Sequence, residues 1–244
     1  YPDSDPRLRE QLAILERLEI DRGQSLEMQP CHSPVWDSAI AVIALAESGL
    51  DRKHPALVRA VDWLLSKEIR RPGDWRFTNP VGPVSGWAFE FNNAFYPDID
   101  DTAMVLLALR HVQLDDEPTQ AREKACLRSL HWLLSMQSRE GGWAAFDKDN
   151  TKLIFTKIPF ADHNAVIDPP DADITGRVLE LLGHIGYDGS YPVVPTAVEV
   201  AQACRIAGLE VGAAKRMEAY AERQRARAIE EALVPITTAL AEAK

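Results

Sequence analysis

From Trp36 onward, apolar positions recur at helical spacing and almost nowhere alternate strictly. That spacing predicts helices over Asp37–Ser48, Pro55–Leu65, Thr102–Val112, Ala121–Met136, Ile174–Ile185 and Pro195–Ala207, which fall into three successive pairs. Pro55 and Pro195 stand where helices begin, and Gly49 and Gly208 where they end. The first thirty residues are charged, with one modest helical segment near Pro6 to Leu18. At the far end, Ile229, Leu233, Ile236 and Leu240 share one helical face, so an Ala/Glu/Arg-rich tail reads as a long amphipathic helix. β-branched runs are scarce, and the fold class expected is mainly α.

The helix pairs are copies of one unit. Val58-Arg59-Ala60-Val61-Asp62-Trp63-Leu64-Leu65-Ser66 matches Leu127-Arg128-Ser129-Leu130-His131-Trp132-Leu133-Leu134-Ser135. Each copy then turns through glycine to tryptophan: Pro72-Gly73-Asp74-Trp75 in the first, Gln137 through Gly141-Gly142-Trp143 in the second. Such a turn lets the indole fold back on the end of the preceding helix, where its N–H can reach a carbonyl.

Between the copies lies Asp98-Ile99-Asp100-Asp101, behind an aromatic run containing Phe89, Phe91, Phe95 and Tyr96. Carboxyls this close repel when all are ionised, so at least one has reason to hold a proton. A protonated carboxyl beside aromatic faces could protonate an apolar substrate and shelter the resulting cation. An acidic run before a helix is also an ordinary cap, which would account for one or two of the aspartates but not three. A calcium loop fails on spacing: the twelfth position is Leu109 counted from Asp98, and Ile158 counted from Asp147, where a glutamate is needed. No metal is assigned.

Composition narrows the partners. The 244 residues are 46% hydrophobic and 26% charged, as in ordinary globular proteins. A net charge of −10 argues against nucleic acid. Cys31, Cys126 and Cys204 are too dispersed for a metal site and point to a reducing compartment. No apolar stretch approaches membrane-spanning length and no signal peptide opens the chain, while a first residue of Tyr1 suggests a fragment. Six histidines show no ligand spacing, with His163 beside Asp162 the one worth following, and neither a Ser-His-Asp arrangement nor a phosphate loop can be argued.

Taken together, Asp98-Ile99-Asp100-Asp101 (a DxDD motif), Gln137 through Gly142-Trp143 (a QW motif), Met28-Gln29-Pro30-Cys31, Ser33-Pro34-Val35-Trp36-Asp37 and Asp168-Pro169-Pro170 resemble the squalene–hopene cyclases, class II triterpene cyclases. The first QW copy is degenerate, with Lys67 or Glu68 in place of Gln. The likeness runs from about residue 5 to 192. It implies a partial α/α barrel, or toroid, of QW-type hairpins. Residues 1–32 would be the end of an insert domain or linker, 33–192 the partial catalytic barrel, and 193–244 a divergent helical tail.

The resemblance further implies proton-initiated cyclisation of squalene, or a similar linear isoprenoid, to hopanoids without a cofactor. Asp100 would be the acid. Asp98 and Asp101 would hold its geometry, with Asp37 and Asp173 in support. Trp36, Phe89 and Tyr96 would line the cavity, Phe146 falls where some relatives carry tyrosine, and Phe160 matches a channel constriction. The family sits on the cytoplasmic side of the membrane as a peripheral, monotopic protein. Arg177 stands where some relatives place a histidine that bonds the catalytic Asp. Being four residues after Asp173, it is expected to pair with Asp173 or a flanking aspartate and leave Asp100 protonated, unless it forms a plain i,i+4 surface pair.

Relatives are more than twice as long, which opens other readings: an inactive remnant serving as a helical scaffold, or a class II cyclase acting on a shorter isoprenoid. The tail could fill the gap left by missing repeats, pair with a second chain as a homodimer, or reflect a truncated or frameshifted gene.

Overall fold

The structure is a computed structural model that describes residues 5–29, 33–89, 94–114, 116–157 and 166–198. The predicted tail helix, most of the Pro195–Ala207 segment, Phe91, Phe160 and His163 lie outside them. The chain divides into two compact units, residues Tyr1–Pro34 and Val35–Lys244.

In the first unit, helix α1 (Pro6–Glu16) starts where Asp5 accepts a hydrogen bond from the Arg7 amide at 2.9 Å, with proline at the first helical position. An antiparallel hairpin follows, β1 (Glu19–Asp21) against β2 (Leu26–Met28), with Glu19 opposite Met28. Periodicity did not announce this hairpin, because three-residue strands are too short for alternation to register.

The second unit carries α2 (Pro34–Glu47, all but its first residue), α3 (Pro55–Ser66), α4 (Ile99–His111), α5 (Asp116–Ser135) and α6 (Ala172–Ile185). Helix α4 packs against α6, α5 and α3. It is buried almost all round, from Ile99 through Leu109, apart from Asp100 and Met104. That explains its weak amphipathicity: a helix covered on every side has no polar face to show. Ala103 is fully buried, and the short side chain there admits close neighbours. No described helix is long and apolar enough to cross a membrane.

Two of the boundaries move in an informative way. Helices α4 and α6 begin at Ile99 and Ala172, each earlier than the apolar spacing predicts, because a polar cap supplies the start. The acidic cluster therefore forms the first turn of α4 and is not a loop before it.

The repeat is visible in its hydrogen bonds, with one correction. After α5, the Trp143 indole N–H donates to the Leu133 carbonyl at 2.8 Å, as the turn predicts. After α3, the tryptophan that does this is Trp87, donating to Leu64 at 2.6 Å, and not Trp75. The turns match as well. The Ser138 amide bonds the Gly142 carbonyl at 2.9 Å, and the Ile69 amide bonds the Gly86 carbonyl at 2.9 Å. Gly86-Trp87 is thus the counterpart of Gly142-Trp143, and residues 70–85 are an excursion inserted into the first turn. Trp75 is buried within that excursion, its N–H without a hydrogen bond, edge-on to Trp132 at 5.9 Å between centroids. Gly86 has φ +108°, and a Cβ there would meet Pro97 and Thr102 at 2.9 Å, so both conformation and space require glycine.

The same register sets Glu68 opposite Gln137. The Gln137 amide donates to the carbonyls of Gly141 (2.6 Å) and Val193 (3.0 Å). Glu68, with a side chain only 8% exposed, instead receives a two-pronged bond from Arg128 of α5 (3.0 and 2.6 Å) and one from Ser85 (2.6 Å). An acid in place of the amide has changed a carbonyl clasp into an ion pair between copies.

Candidate active site

The N-termini of α4 and α6 are built on one plan. The Asp98 amide donates to the Trp87 carbonyl and the Asp171 amide to the Trp143 carbonyl, both at 2.8 Å. The Thr102 hydroxyl accepts from the Trp87 amide and the Thr175 hydroxyl from the Trp143 amide, both at 3.0 Å. The Asp98 carboxylate caps α4 through the amides of Asp100 (2.7 Å) and Asp101 (3.3 Å). The Asp171 carboxylate caps α6 through those of Asp173 (2.7 Å) and Ile174 (3.2 Å). The copies therefore align Asp98 with Asp171, Asp100 with Asp173, Asp101 with Ile174 and Met104 with Arg177. The capping reading of the acidic run holds for Asp98, and it leaves Asp100 and Asp101 over.

Arg177 joins the two helix starts. Its guanidinium forms an ion pair with Asp100 and a second, at 3.5 Å, with Asp173, and its side chain is only 11% exposed. It also lies over the Trp36 ring of α2, 4.9 Å from the centroid. The expected pairing with Asp173 is present. The expectation that Arg177 would leave Asp100 alone is not: because the equivalent turns of α4 and α6 sit side by side, one guanidinium reaches both middle aspartates. It is also no surface pair.

The other two carboxyls of the cluster are both shifted upward from the ordinary carboxylate range. Burial drives the Asp98 carboxyl up to about 7, with the Asp100 charge adding to this and the two capping amides opposing it. Burial drives Asp101 up to about 8, reinforced by the charges of Asp98, Asp100 and Asp37 and opposed by Arg177. Asp101 is 1% exposed, and its Oδ1 is buried without a hydrogen-bond partner. Asp37 itself is exposed on the first turn of α2 and acts on the cluster through its charge.

Among the described residues, the aromatic side chains near the cluster differ in burial and in partners. Trp36 reaches the cluster through Arg177. Phe89 and Tyr96 are half-buried, and Phe95 is 52% exposed and turned to solvent. Tyr96 packs edge-on to Phe146 at 5.7 Å, and Phe146 remains 38% exposed. Burial drives the Tyr96 hydroxyl pKa upward, and the Asp74 carboxylate adds to this.

Beneath this pair is a feature that spacing alone could not reveal. The Asp168 carboxylate accepts the amides of Ala145 (3.3 Å), Phe146 (2.7 Å) and Asp147 (2.8 Å), pinning the Phe146 loop from 23 residues away at the furthest. The Asp-Pro-Pro string marked the position without giving its partner. Among the described residues, no group of three or more His, Cys, Asp or Glu side chains is arranged to hold a metal ion.

Residues 32–207 match the squalene-hopene cyclase C-terminal domain. Over 182 residues the chain is 44% identical to a squalene–hopene cyclase from Alicyclobacillus acidocaldarius, an overlap covering 75% of this chain and 28% of the relative. It is 45% identical over 190 residues to a dammaradiene synthase from Dryopteris crassirhizoma (78% and 27%), and 38% identical over 206 residues to a squalene–hopene cyclase from Schizosaccharomyces japonicus (81% and 31%). It thus spans less than a third of the length of the curated relatives it matches. With a matched domain over most of its length and the paired helix starts to go with it, the chain belongs to the squalene–hopene cyclase family.

Proposed function

We propose that this chain carries the acid-initiation site of a class II terpene cyclase, which protonates squalene and folds it into hopanoid rings. The observation that supports this best is the meeting of four acidic side chains, Asp98, Asp100, Asp101 and Asp173, with one guanidinium and one indole at the starts of two buried helices. An isolated alkene is so weak a base that its acid must be dry, oriented and set among fixed charges. Asp100 is the donor, the carboxyl at the mouth of the cluster with a side chain 24% exposed. Asp98 holds the turn, Asp173 and Arg177 orient Asp100, and Asp37 adds negative potential. Trp36, Phe89, Tyr96 and Phe146 offer ring faces, each worth roughly 1–2 kcal/mol to a desolvated cation.

In this reading the helix pairs are QW-type hairpins of a partial α/α toroid. Residues 33–192 are its catalytic part, 1–32 belong to an insert domain or linker, and 193–244 form a divergent tail. Phe160 would narrow the substrate channel. The protein would lie on the cytoplasmic face of a membrane as a peripheral, monotopic protein. The exposed apolar side chains Phe77, Val81, Leu153 and Ile154 support that placement.

The test is incubation of the purified chain with squalene, and separately with a shorter isoprenoid, followed by mass spectrometry of the products. Cyclised squalene that disappears in Asp100→Asn, with helical content retained, supports the assignment; activity surviving in that variant refutes it.

A further inference from the structure

We propose that the far end of α4 holds a second site, which binds an anionic amphiphile: a phosphate head in an arginine-lined cavity and a hydrocarbon tail in the apolar groove beside it. The acidic cluster occupies the start of the same 13-residue helix, roughly 20 Å away at about 1.5 Å per residue, so the two sites are separate.

The head enters a cavity of about 360 Å³ lined by Arg52, Arg110 and Arg122, with no carboxylate among its described lining residues. Three arginines around one cavity run against the composition of a chain whose net charge is −10. Part of their task is structural. Arg52 donates to the carbonyls of Arg110 and His111, and Arg122 to those of Val112 (2.6 Å) and Leu109 (3.5 Å), which caps the end of α4. Those bonds engage Nε and Nη2 of Arg52 and Nη1 of Arg122. Each guanidinium therefore has N–H groups beyond the cap and is held in place before a ligand arrives, which lowers the cost of binding. The helix end carries roughly half a negative charge, which three guanidinium charges outweigh. Their planar forks match phosphate oxygens.

The groove holds about 290 Å³ between α4, α5 and α6 and shares Arg110 and Cys126 with the cavity. Apart from those two and Glu123, its described lining is aliphatic or aromatic, with Leu127, Leu130, Ile185 and Tyr187 along it. Leu127 is 56% exposed and Ile185 38%, so apolar surface faces water there. The arginines alone would take any anion and the groove alone any apolar group. Their junction at Arg110 selects a molecule that carries both.

The experiment is calorimetric titration of the full 244-residue chain with monomeric decyl phosphate, set against inorganic phosphate, decanol and phosphatidylglycerol vesicles. Decyl phosphate should bind at one site, more tightly than phosphate or decanol. Arg110→Gln should weaken it roughly tenfold, the scale of one charge-assisted hydrogen bond. Leu127→Ser should weaken it roughly fourfold, the scale of one buried methylene. Arg139→Gln, beyond the opposite end of α5, should leave the affinity unchanged. Vesicle binding weakened by the same two variants would identify a bilayer as the source of the head group, and binding of the monomer alone a free amphiphile; either supports the site. Affinity that Arg110→Gln or Leu127→Ser leaves intact overturns the proposal. So does an absence of binding, the result expected if Asp115, Asp116 and Glu117, next in the sequence, neutralise the arginines. Should Arg110→Gln fold poorly, Leu127→Ser, a change at an exposed position, still decides the matter.

Discussion

Raising the pH should destabilise this fold across a window where most proteins are indifferent. Asp98 and Asp101 ionise near 3.9 in an unfolded chain but at about 7 and about 8 in the fold. The folded state therefore binds more protons than the unfolded state between those limits. Their contribution to stability is complete below about pH 4 and is lost as pH rises through 7 and 8. Each proton retained only by the folded state gives a slope of about 1.4 kcal/mol per pH unit, so the two together approach 2.7 kcal/mol per unit near pH 5–6. His111 works the other way. Burial lowers its pKa, so the folded state binds fewer protons there and stability is gained as pH rises toward the ordinary histidine value, which softens the slope below about 6.5. Asp147, also raised by burial, adds to the loss.

Guanidinium unfolding of the full chain at closely spaced pH values, monitored by far-UV circular dichroism, measures the slope directly. Asp101→Asn should remove about one proton's share, close to 1.4 kcal/mol per unit between pH 5 and 7. A stability that stays level from pH 5 to 8, or a slope untouched by Asp101→Asn, would show that the buried carboxyls ionise freely.

Two further outcomes follow from the repeat geometry. Trp87→Phe and Trp143→Phe should each cost about 1 kcal/mol, since each removes one of the two hydrogen bonds to a helix-end carbonyl. Trp75→Phe, whose indole N–H is already unbonded, should fall clearly below both in the same unfolding assay. Glu68→Ala should cost about 1 kcal/mol, because the Arg128 guanidinium it leaves is one-third exposed and Ser85 keeps its bond to Ser129; Arg128→Ala, which leaves the buried Glu68 carboxylate, should cost more, and equal near-zero effects would refute the inter-repeat ion pair.

Much of the candidate site could be read directly. The acidic cluster was marked by residue type and spacing, whereas Trp36, Asp173 and Arg177 were marked by the resemblance to the cyclases, and the structure brings Arg177 to Trp36 and to both middle aspartates. What resisted reading was partnership across distance. Trp75 also follows a glycine turn, yet the capping indole is Trp87, because an excursion of sixteen residues sits inside the first turn and the Ile69–Gly86 bond and the bonds of Trp87 show where the repeat resumes. Phe95 belongs to the aromatic run by sequence and to the solvent by position.

Local chemistry was sufficient for the helices, their order, the caps at their starts and the presence of an acid cluster, since each depends on residues within a turn or two of one another. The division of labour inside the cluster came from packing. Burial and the approach of α6 set Arg177 against Asp100 and push the Asp101 carboxyl upward, because desolvation and charge pairing depend on what lies across the interface between helices.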